Sequence, residues 1–172
     1  MIYKLIAVAA VGLTGSVALA AAGAGRAQAD LRPRAAASAQ IAPAAPMKPH
    51  TGPLPALPRV SFEPYRPMAV VQQVYEFAAR HPEVLQYVPC YCGCEREGHV
   101  ANHSCFVKSR AANGQVTQWD SHGIGCAICL DVGLEAMTLF NSGARPVAIR
   151  AAIDKKFGSR FPSSTPTPRP VR

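Results

Sequence analysis

Six cysteines are the residues of this chain whose type and spacing could do chemistry, and all of them lie within one window of forty residues. Thiolates are the ligands that soft ions such as Cu(I) and Zn²⁺ prefer. Two cysteines separated by one residue would form a strained ring if they paired with each other, whereas alternate thiolates converge readily on one ion. The C-x-C-x-C spacing of the first three therefore favours a metal site. The six candidate ligands are Cys90, Cys92, Cys94, Cys105, Cys126 and Cys129.

The last two cysteines form a C-x-x-C pair, Cys126 and Cys129, at the predicted start of a helix. A helix N-terminus stabilises thiolates, so this position suits two further metal ligands. Six sulfurs exceed the four that a single tetrahedral Zn²⁺ needs. Either two sulfurs are spare or the site holds more than one ion, and the sequence leaves both arrangements open.

Three histidines lie in the same window and are candidate ligands, or donors that orient the ligands. His99 and His103 stand between the third and fourth cysteines, and His122 precedes Cys126 by four residues. Imidazole binds Zn²⁺ and copper alongside thiolate. The predicted site therefore includes all three, whereas His50 and His81 lie outside the window and are left out.

The elements that must position these ligands are mostly helical. Val70, Val74 and Phe77 recur at helical spacing after Pro67, which predicts a helix that ends at His81-Pro82. A short helical turn follows, and Pro89 stops it just before the first cysteine. The cysteines of the C-x-C-x-C run are therefore expected on irregular backbone.

Two more helices and a hairpin are predicted after the fourth cysteine. Asn113-Gly114 suits a type I′ turn, so the chain between Cys105 and Trp119 predicts a small hairpin. One helix carries Cys126, Leu130, Leu134 and Met137 on one face and is capped by Gly143; the next begins at Pro146 and points Ile149, Ile153 and Phe157 inward. The predicted fold class is mainly α: a small helical domain around a cysteine-rich centre, with one short β-hairpin.

The ends of the chain differ in composition from this domain, which we place at residues 67–158. Residues 1–29 combine an early lysine, an apolar run and a small-x-small site, which predicts a secretory signal cleaved after Ala29; a retained anchor is the alternative. Residues 30–66 hold 8 of the 16 prolines and are predicted to be an extended Pro/Ala-rich linker. The proline-rich tail 159–172 is predicted to be disordered.

Charge argues against a nucleic-acid-binding fold. The whole chain has a formal net charge of +8, but residues 67–158 carry eight basic and eight acidic side chains. The excess positive charge therefore lies in the ends, where it suits contact with anionic envelope polymers or a membrane surface. We expect an exported protein that is periplasmic, extracellular or associated with the envelope.

The hexapeptide Pro89-Cys90-Tyr91-Cys92-Gly93-Cys94 resembles the motif that names the PCYCGC proteins, bacterial exported proteins and lipoproteins of no settled function. The resemblance extends through Gly98-His99, Cys105-Phe106, Trp119-Asp120, His122, the C-x-x-C pair and Ile149-Arg150 to Ile153-Asp154. The chain departs from the lipoprotein members because no cysteine precedes Cys90, which puts lipid anchoring in doubt. The resemblance implies a family and supplies no mechanism.

Three functions are compatible with these residues. The favoured one is a non-enzymatic protein that binds Cu(I) or Zn²⁺ through thiolates, with histidine help. The second is an exported domain stapled by three disulfides, for which six cysteines allow 15 pairings. The third, and least favoured, is thiol-disulfide exchange at Cys126 and Cys129, because a thioredoxin-like alternation of strands and helices is missing around the pair. No serine nucleophile elbow, phosphate loop or zinc-protease motif is present in the sequence.

Overall fold

Residues 45–171 are described by the computed structural model, and this part of the chain is mainly α-helical. The predicted signal 1–29 and residues 30–44 of the predicted linker lie outside the described residues. Within residues 45–171, no helix combines the length and the apolar character that crossing a membrane requires. The elements are α1 (Met68–Arg80), α2 (Pro82–Leu85), a first 3₁₀ turn (Cys94–Glu97), a second 3₁₀ turn (Asn102–Cys105), β1 (Val107–Arg110), β2 (Val116–Trp119), α3 (His122–Gly125), α4 (Ala127–Asn141) and α5 (Pro146–Phe157).

The predicted helices are confirmed where the sequence pattern placed them. Val74 and Phe77 of α1 are buried, and so are Ile149, Ile153 and Phe157 of α5. Gly143 follows α4 with a φ of 87°, a left-handed conformation that glycine adopts without strain, and its N–H donates to Phe140 O. The face of α4 is shifted from the predicted one, because Leu134 and Met137 are only partly buried while Val132, Gly133 and Ala136 are fully covered.

The predicted hairpin is present, with a different turn. β1 and β2 pair antiparallel, with Val107 opposite Trp119 and Arg110 opposite Val116. Gly114 N donates to Ala111 O at 2.9 Å, so Ala112 and Asn113 occupy the centre of the turn instead of Asn113 and Gly114. The predicted type I′ turn is therefore wrong: Ala111 N donates to Gln115 O at 2.8 Å, so the loop has three residues instead of two, and Gly114, the last of them, adopts a φ of 93°.

The core packs α1 and α4 against the aromatic residues around the hairpin. Tyr75 lies edge-on to Phe106 and to Trp119, with ring centroids 5.2 and 5.5 Å apart. A Cβ on Gly133 would stand 2.7 Å from Val74 Cγ1, so the absence of a side chain there allows α1 and α4 to approach. This contact places the N-terminal turn of α4, which carries Cys129, beside the loop that follows α2.

Residues 45–66 correct the expectation of a linker outside the core. The segment is extended, as its prolines require, but it packs along the domain. His50 is 5% exposed, with its N–H donating to Ala79 O and its ring accepting from Val116 N. Trp119 Nε1 donates to Pro55 O at 3.0 Å, and Arg66 forms a two-pronged ion pair with Asp131. Prolines lack an N–H but keep a carbonyl acceptor, which buried donors such as Trp119 can use.

Candidate metal centre

The C-x-C-x-C loop is shaped by Pro89 and Gly93. Gly93 has a φ of 83°, which other residues rarely adopt, and it turns the chain into the first 3₁₀ turn at Cys94. Cys90 and Cys94 are buried, and Cys92 is half-buried. The sulfurs of Cys90 and Cys92 lie against Cys129 of α4, and the sulfur of Cys94 lies against Cys105 of the second 3₁₀ turn.

The C-x-x-C pair lies at the start of α4. Cys126 is the N-cap residue, and its Sγ accepts from Cys129 N at 3.4 Å. Cys129 is fully buried one turn inside the helix. On the side of α3, a Cβ on Gly123 would lie 2.5 Å from the Phe106 ring, so only glycine lets α3 approach the second 3₁₀ turn this closely.

The sulfur of Cys129 is the hub of the cluster. It lies 3.3 Å from Cys90 Sγ, 3.4 Å from Cys92 Sγ and 3.3 Å from Cys105 Sγ. Cys90 and Cys92 are 3.4 Å apart, and Cys94 and Cys105 are 3.8 Å apart. Thiolates on one tetrahedral Zn²⁺ with bonds of about 2.3 Å stand about 3.8 Å from each other. Movements of a few tenths of an ångström would therefore admit an ion, and all six cysteines are free thiols in the structure.

Two of the three predicted histidines join the cluster. His122 Nε2 lies 3.5 Å from Cys92 Sγ, and His99 Nδ1 lies 3.4 Å from Cys105 Sγ. Their rings meet edge-on, with centroids 5.1 Å apart. Both present one nitrogen to a cysteine sulfur and the other to a carboxylate, which is the usual arrangement for histidine ligands of metals.

Carboxylates stand behind both rings. Glu97 Oε2 is 3.2 Å from His122 Nδ1, while Asp120 Oδ1 accepts from His122 N at 2.8 Å. Asp120 Oδ2 lies 3.7 Å from His99 Nε2, beyond hydrogen-bonding distance. From the sequence, Asp120 is a possible orienter of His122, and Glu97 is expected to be a solvated residue beside the cysteine loop; the position of Glu97 inside the cysteine window was the one signal of its role.

His103, the third predicted histidine, is not placed with the others. It lies in the second 3₁₀ turn and belongs to none of the groups of donor atoms close enough to share an ion among residues 45–171. Burial, Arg110 and His99 lower its pKa to about 4, so the ring is neutral at physiological pH. The sequence could not separate His99 from His103, because four residues of irregular backbone do not determine which side chain faces the sulfurs.

The pKa values of the clustered cysteines and of His122 are shifted in different directions. Hydrogen bonds from Cys105 and Cys129 lower the pKa of Cys90 to about 4, and those from Cys105 and Cys126 lower the pKa of Cys92. The hydrogen bonds that Cys129 makes to Cys105 and Cys126 raise its own pKa. Hydrogen bonds to Cys126 and Cys92 raise the pKa of His122 to about 11. Thiolates are therefore stabilised before any ion is bound, and metal binding would displace the protons that remain.

The C-terminal tail clamps the cysteine loop, which corrects the prediction that residues 159–172 are disordered. Thr165 N donates to Cys90 O at 2.9 Å, and Cys90 N donates to Thr165 Oγ1 at 2.8 Å. Thr165 and Thr167 are 3% and 8% exposed, and Thr167 Oγ1 donates to Val100 O. Composition alone did not predict this packing. The alternating prolines hold the tail extended. Its threonines provide hydrogen-bonding partners for backbone groups of the cysteine loop that would otherwise be unpaired.

Replacing Thr165 with valine is expected to lower the free energy of unfolding of the metal-free, reduced chain by about 1–3 kcal/mol. Valine keeps the shape of the side chain but leaves the buried Cys90 N–H without its acceptor. Urea denaturation followed by circular dichroism measures the change. The exposed neighbour Ser164, changed to alanine, is the control; equal midpoints for the two variants would contradict the clamp.

Within residues 45–171, four groups of side chains present their donor atoms within 4.8 Å of one another. Two are sulfur-only, and two combine cysteines with histidine. They are Cys90, Cys92 and Cys94; Cys90, Cys105 and Cys129; Cys92, His122, Cys126 and Cys129; and Cys94, His99, Cys105 and His122. All six predicted cysteines and two of the three predicted histidines therefore occur in at least one group that could hold a metal ion.

A comparison with protein families matches residues 13–170 to the family described as protein of unknown function with PCYCGC motif. The match covers more than nine-tenths of the 172 residues, so the chain belongs to this family. It extends beyond both ends of the domain predicted at residues 67–158, in agreement with the packing of residues 45–66 and of the tail. Searches of the curated proteins and of the solved structures found no match.

Proposed function

We propose that this PCYCGC-family protein is an exported, non-enzymatic protein that binds a soft metal ion, Cu(I) or Zn²⁺, through the thiolates of its cysteine cluster. His99 and His122 are proposed as additional ligands, and the metal ion is its partner. The observation that carries the proposal is the position of Cys129, whose sulfur lies within 3.4 Å of three other sulfurs. Soft thiolates select these ions over hard ones.

The same observation weighs against the disulfide alternative. Three disulfides require the six sulfurs to separate into three pairs, each with its own close partner. Here one sulfur is equally close to Cys90, Cys92 and Cys105, which is the arrangement of ligands around a shared centre. It also weighs against thiol-disulfide exchange by Cys126 and Cys129 as a separate pair. The Cys129 sulfur contacts three other sulfurs in addition to lying near Cys126.

Export is supported by the pattern of residues 1–29, and by the concentration of positive charge outside the 67–158 region. We infer a periplasmic, extracellular or envelope-associated location, where the excess positive charge outside residues 67–158 would favour contact with anionic envelope polymers or a membrane surface. No nucleic-acid partner is proposed.

The test is a metal titration of the full chain, purified without oxygen or chelators. Cu(I) and Zn²⁺ are added separately in competition with a chromophoric chelator, and native mass spectrometry counts the bound ions. Stoichiometric binding of either ion is expected, together with loss of the free-thiol reaction on loading. The same chain with its thiols alkylated by iodoacetamide is the control and is expected to bind neither ion.

Two results would overturn the proposal. One is a chain with six free thiols that binds neither ion. The other is a chain isolated from the cell envelope that weighs about six hydrogens less than the reduced form, two for each disulfide, and carries no metal.

A further inference from the structure

The donors divide into an outer set and an inner set once His122, which belongs to both four-membered groups, is assigned to the outer one, where its Nε2 faces Cys92 Sγ at 3.5 Å. The outer set is Cys92, Cys126, Cys129 and His122, whose ligand atoms lie within 4.8 Å of one another. The inner set is Cys94, Cys105 and His99, which are equally close together. Each set has enough donors for one soft ion, since such ions accept three or four ligands. Cys90 lies next to both sets, in groups with Cys92, Cys94, Cys105 and Cys129.

The two sets differ in their access to solvent. Cys94, Cys105 and His99 of the inner set are 2%, 0% and 8% exposed. In the outer set Cys92 and Cys126 are half-buried, and the side chain of His122 is 22% exposed. Because ligand exchange needs an incoming donor to reach the metal, the two sets would exchange at different rates.

A surface cavity opens onto the outer set alone. It has a volume of about 400 Å³ and is lined by Phe62, Cys92, Ser121, His122, Gly125 and Cys126. Three of the four outer donors therefore face it, and none of the inner donors does. The Phe62 ring lies against Gly125, about 3.1 Å from where a Cβ would stand, and covers one side of the opening.

We propose that the cluster holds two ions of unequal lability, and that the outer ion is exchanged with a thiolate from outside the chain through this cavity. The inference rests on the proposed metal-binding function and specifies the route by which the metal ion leaves the protein. The incoming ligand is a thiol, carried either by a small molecule or by a cysteine of another protein.

Cys126 is the ligand that the incoming thiol replaces. The bond from the metal to Cys126 Sγ breaks as the bond to the incoming sulfur forms, and the proton released by the thiol passes to Cys126. The metal keeps its oxidation state, so no oxidant or reductant is consumed. The released sulfur retains the hydrogen bond from Cys129 N at the start of α4, which stabilises the open state.

The experiment follows metal release from the full chain loaded with two equivalents of Cu(I), or of Zn²⁺ if only zinc binds. The loaded protein is mixed with an excess of chromophoric chelator, with and without glutathione, and absorbance is recorded by stopped flow. We expect two phases of equal amplitude, of which only the fast one accelerates with thiol concentration. A short Cys-x-x-Cys peptide replaces glutathione in a second arm, and the more efficient thiol identifies the source.

Two variants test whether the fast phase of metal release comes from the outer ion. Cys126→Ser leaves the outer set with three donors and is expected to make the fast phase faster in the absence of added thiol, with the slow phase unchanged. Phe62→Ala is expected to keep both equivalents and to accelerate the fast phase by about tenfold, because it uncovers the opening. Tyr65→Ala removes an aromatic ring of the same segment that does not line the cavity, and is the matched control.

The outcomes separate this inference from the function on which it rests. A chain that takes up no metal contradicts both. A chain that binds one ion only, or releases both ions in one phase that thiols do not accelerate, contradicts the exchange site and leaves metal binding intact. Equal effects of Phe62→Ala and Tyr65→Ala also overturn it.

Discussion

Replacing Cys129 with serine is expected to weaken metal binding by roughly a hundredfold. A structural Zn²⁺ site contributes about 10–16 kcal/mol over four ligands, so one ligand accounts for about 3 kcal/mol, which corresponds to a factor of about 100. Cys129 lies closest to three other sulfurs, and a serine oxygen is a poor ligand for a soft ion. Competition with a chromophoric chelator measures the affinity of each chain under the same conditions.

A control on the same helix distinguishes lost ligation from lost folding. Ala136 is a buried residue of α4 outside the cluster, and Ala136→Ser also places a hydroxyl in the core. This variant is expected to lose stability in urea while keeping its metal affinity. If Cys129→Ser binds Cu(I) and Zn²⁺ as tightly as the unaltered chain, the hub assignment is wrong.

Replacing Arg150 with methionine is expected to lower the free energy of unfolding by about 2–6 kcal/mol, because two backbone carbonyls lose their donor at about 1–3 kcal/mol each. Arg150 is 9% exposed, and its Nε donates to both carboxylate oxygens of Asp154 at 2.8 and 2.9 Å. Its Nη1 also donates to Tyr87 O, just before the cysteine loop, and to Pro168 O in the tail, each at 3.1 Å. Methionine leaves the two carbonyls without this donor, whereas Asp154 keeps its contacts with Tyr91 Oη and Arg169.

The measurement is the urea midpoint and slope of the reduced, metal-free chain. Lys155 lies on the same helix, is exposed and forms no ion pair among the described residues, so Lys155→Met is the matched control. We expect the control to stay within about 0.5 kcal/mol of the unaltered chain. A similar midpoint for both variants would show that the buried contacts of Arg150 do not hold the loop and the tail together.

Local rules were enough to predict the helices and the composition of the site. Helical spacing of Val74 and Phe77, and of Ile149 and Ile153, identified buried faces because a helix repeats its orientation over short distances. The C-x-C-x-C and C-x-x-C spacings identified five of the six clustered sulfurs for the same reason, since the spacing itself limits what neighbouring thiols can do, whereas Cys105 was included only because it lies in the same window.

Only the tertiary structure decided which donors meet. Cys90 and Cys129 are separated by 39 positions, yet their sulfurs lie 3.3 Å apart. His99 joins the cluster and His103 does not, although both have the same type and similar neighbours in sequence. Distances of this kind depend on the packing of α4 against the chain around it, and no local pattern contains them.

The proline-rich ends show the same difference between what the local sequence predicts and what tertiary contacts decide. Composition alone predicted that residues 45–66 would be extended, because proline restricts φ and cannot donate a hydrogen bond, and it predicted a disordered tail, which was wrong. Whether an extended chain stays in solvent or packs depends on distant partners. Trp119 supplies a donor for Pro55, and the backbone of Cys90 supplies both a donor and an acceptor for Thr165. Tertiary structure decided the outcome because buried polar groups must be paired, and the folded domain leaves these groups for the ends of the chain to satisfy.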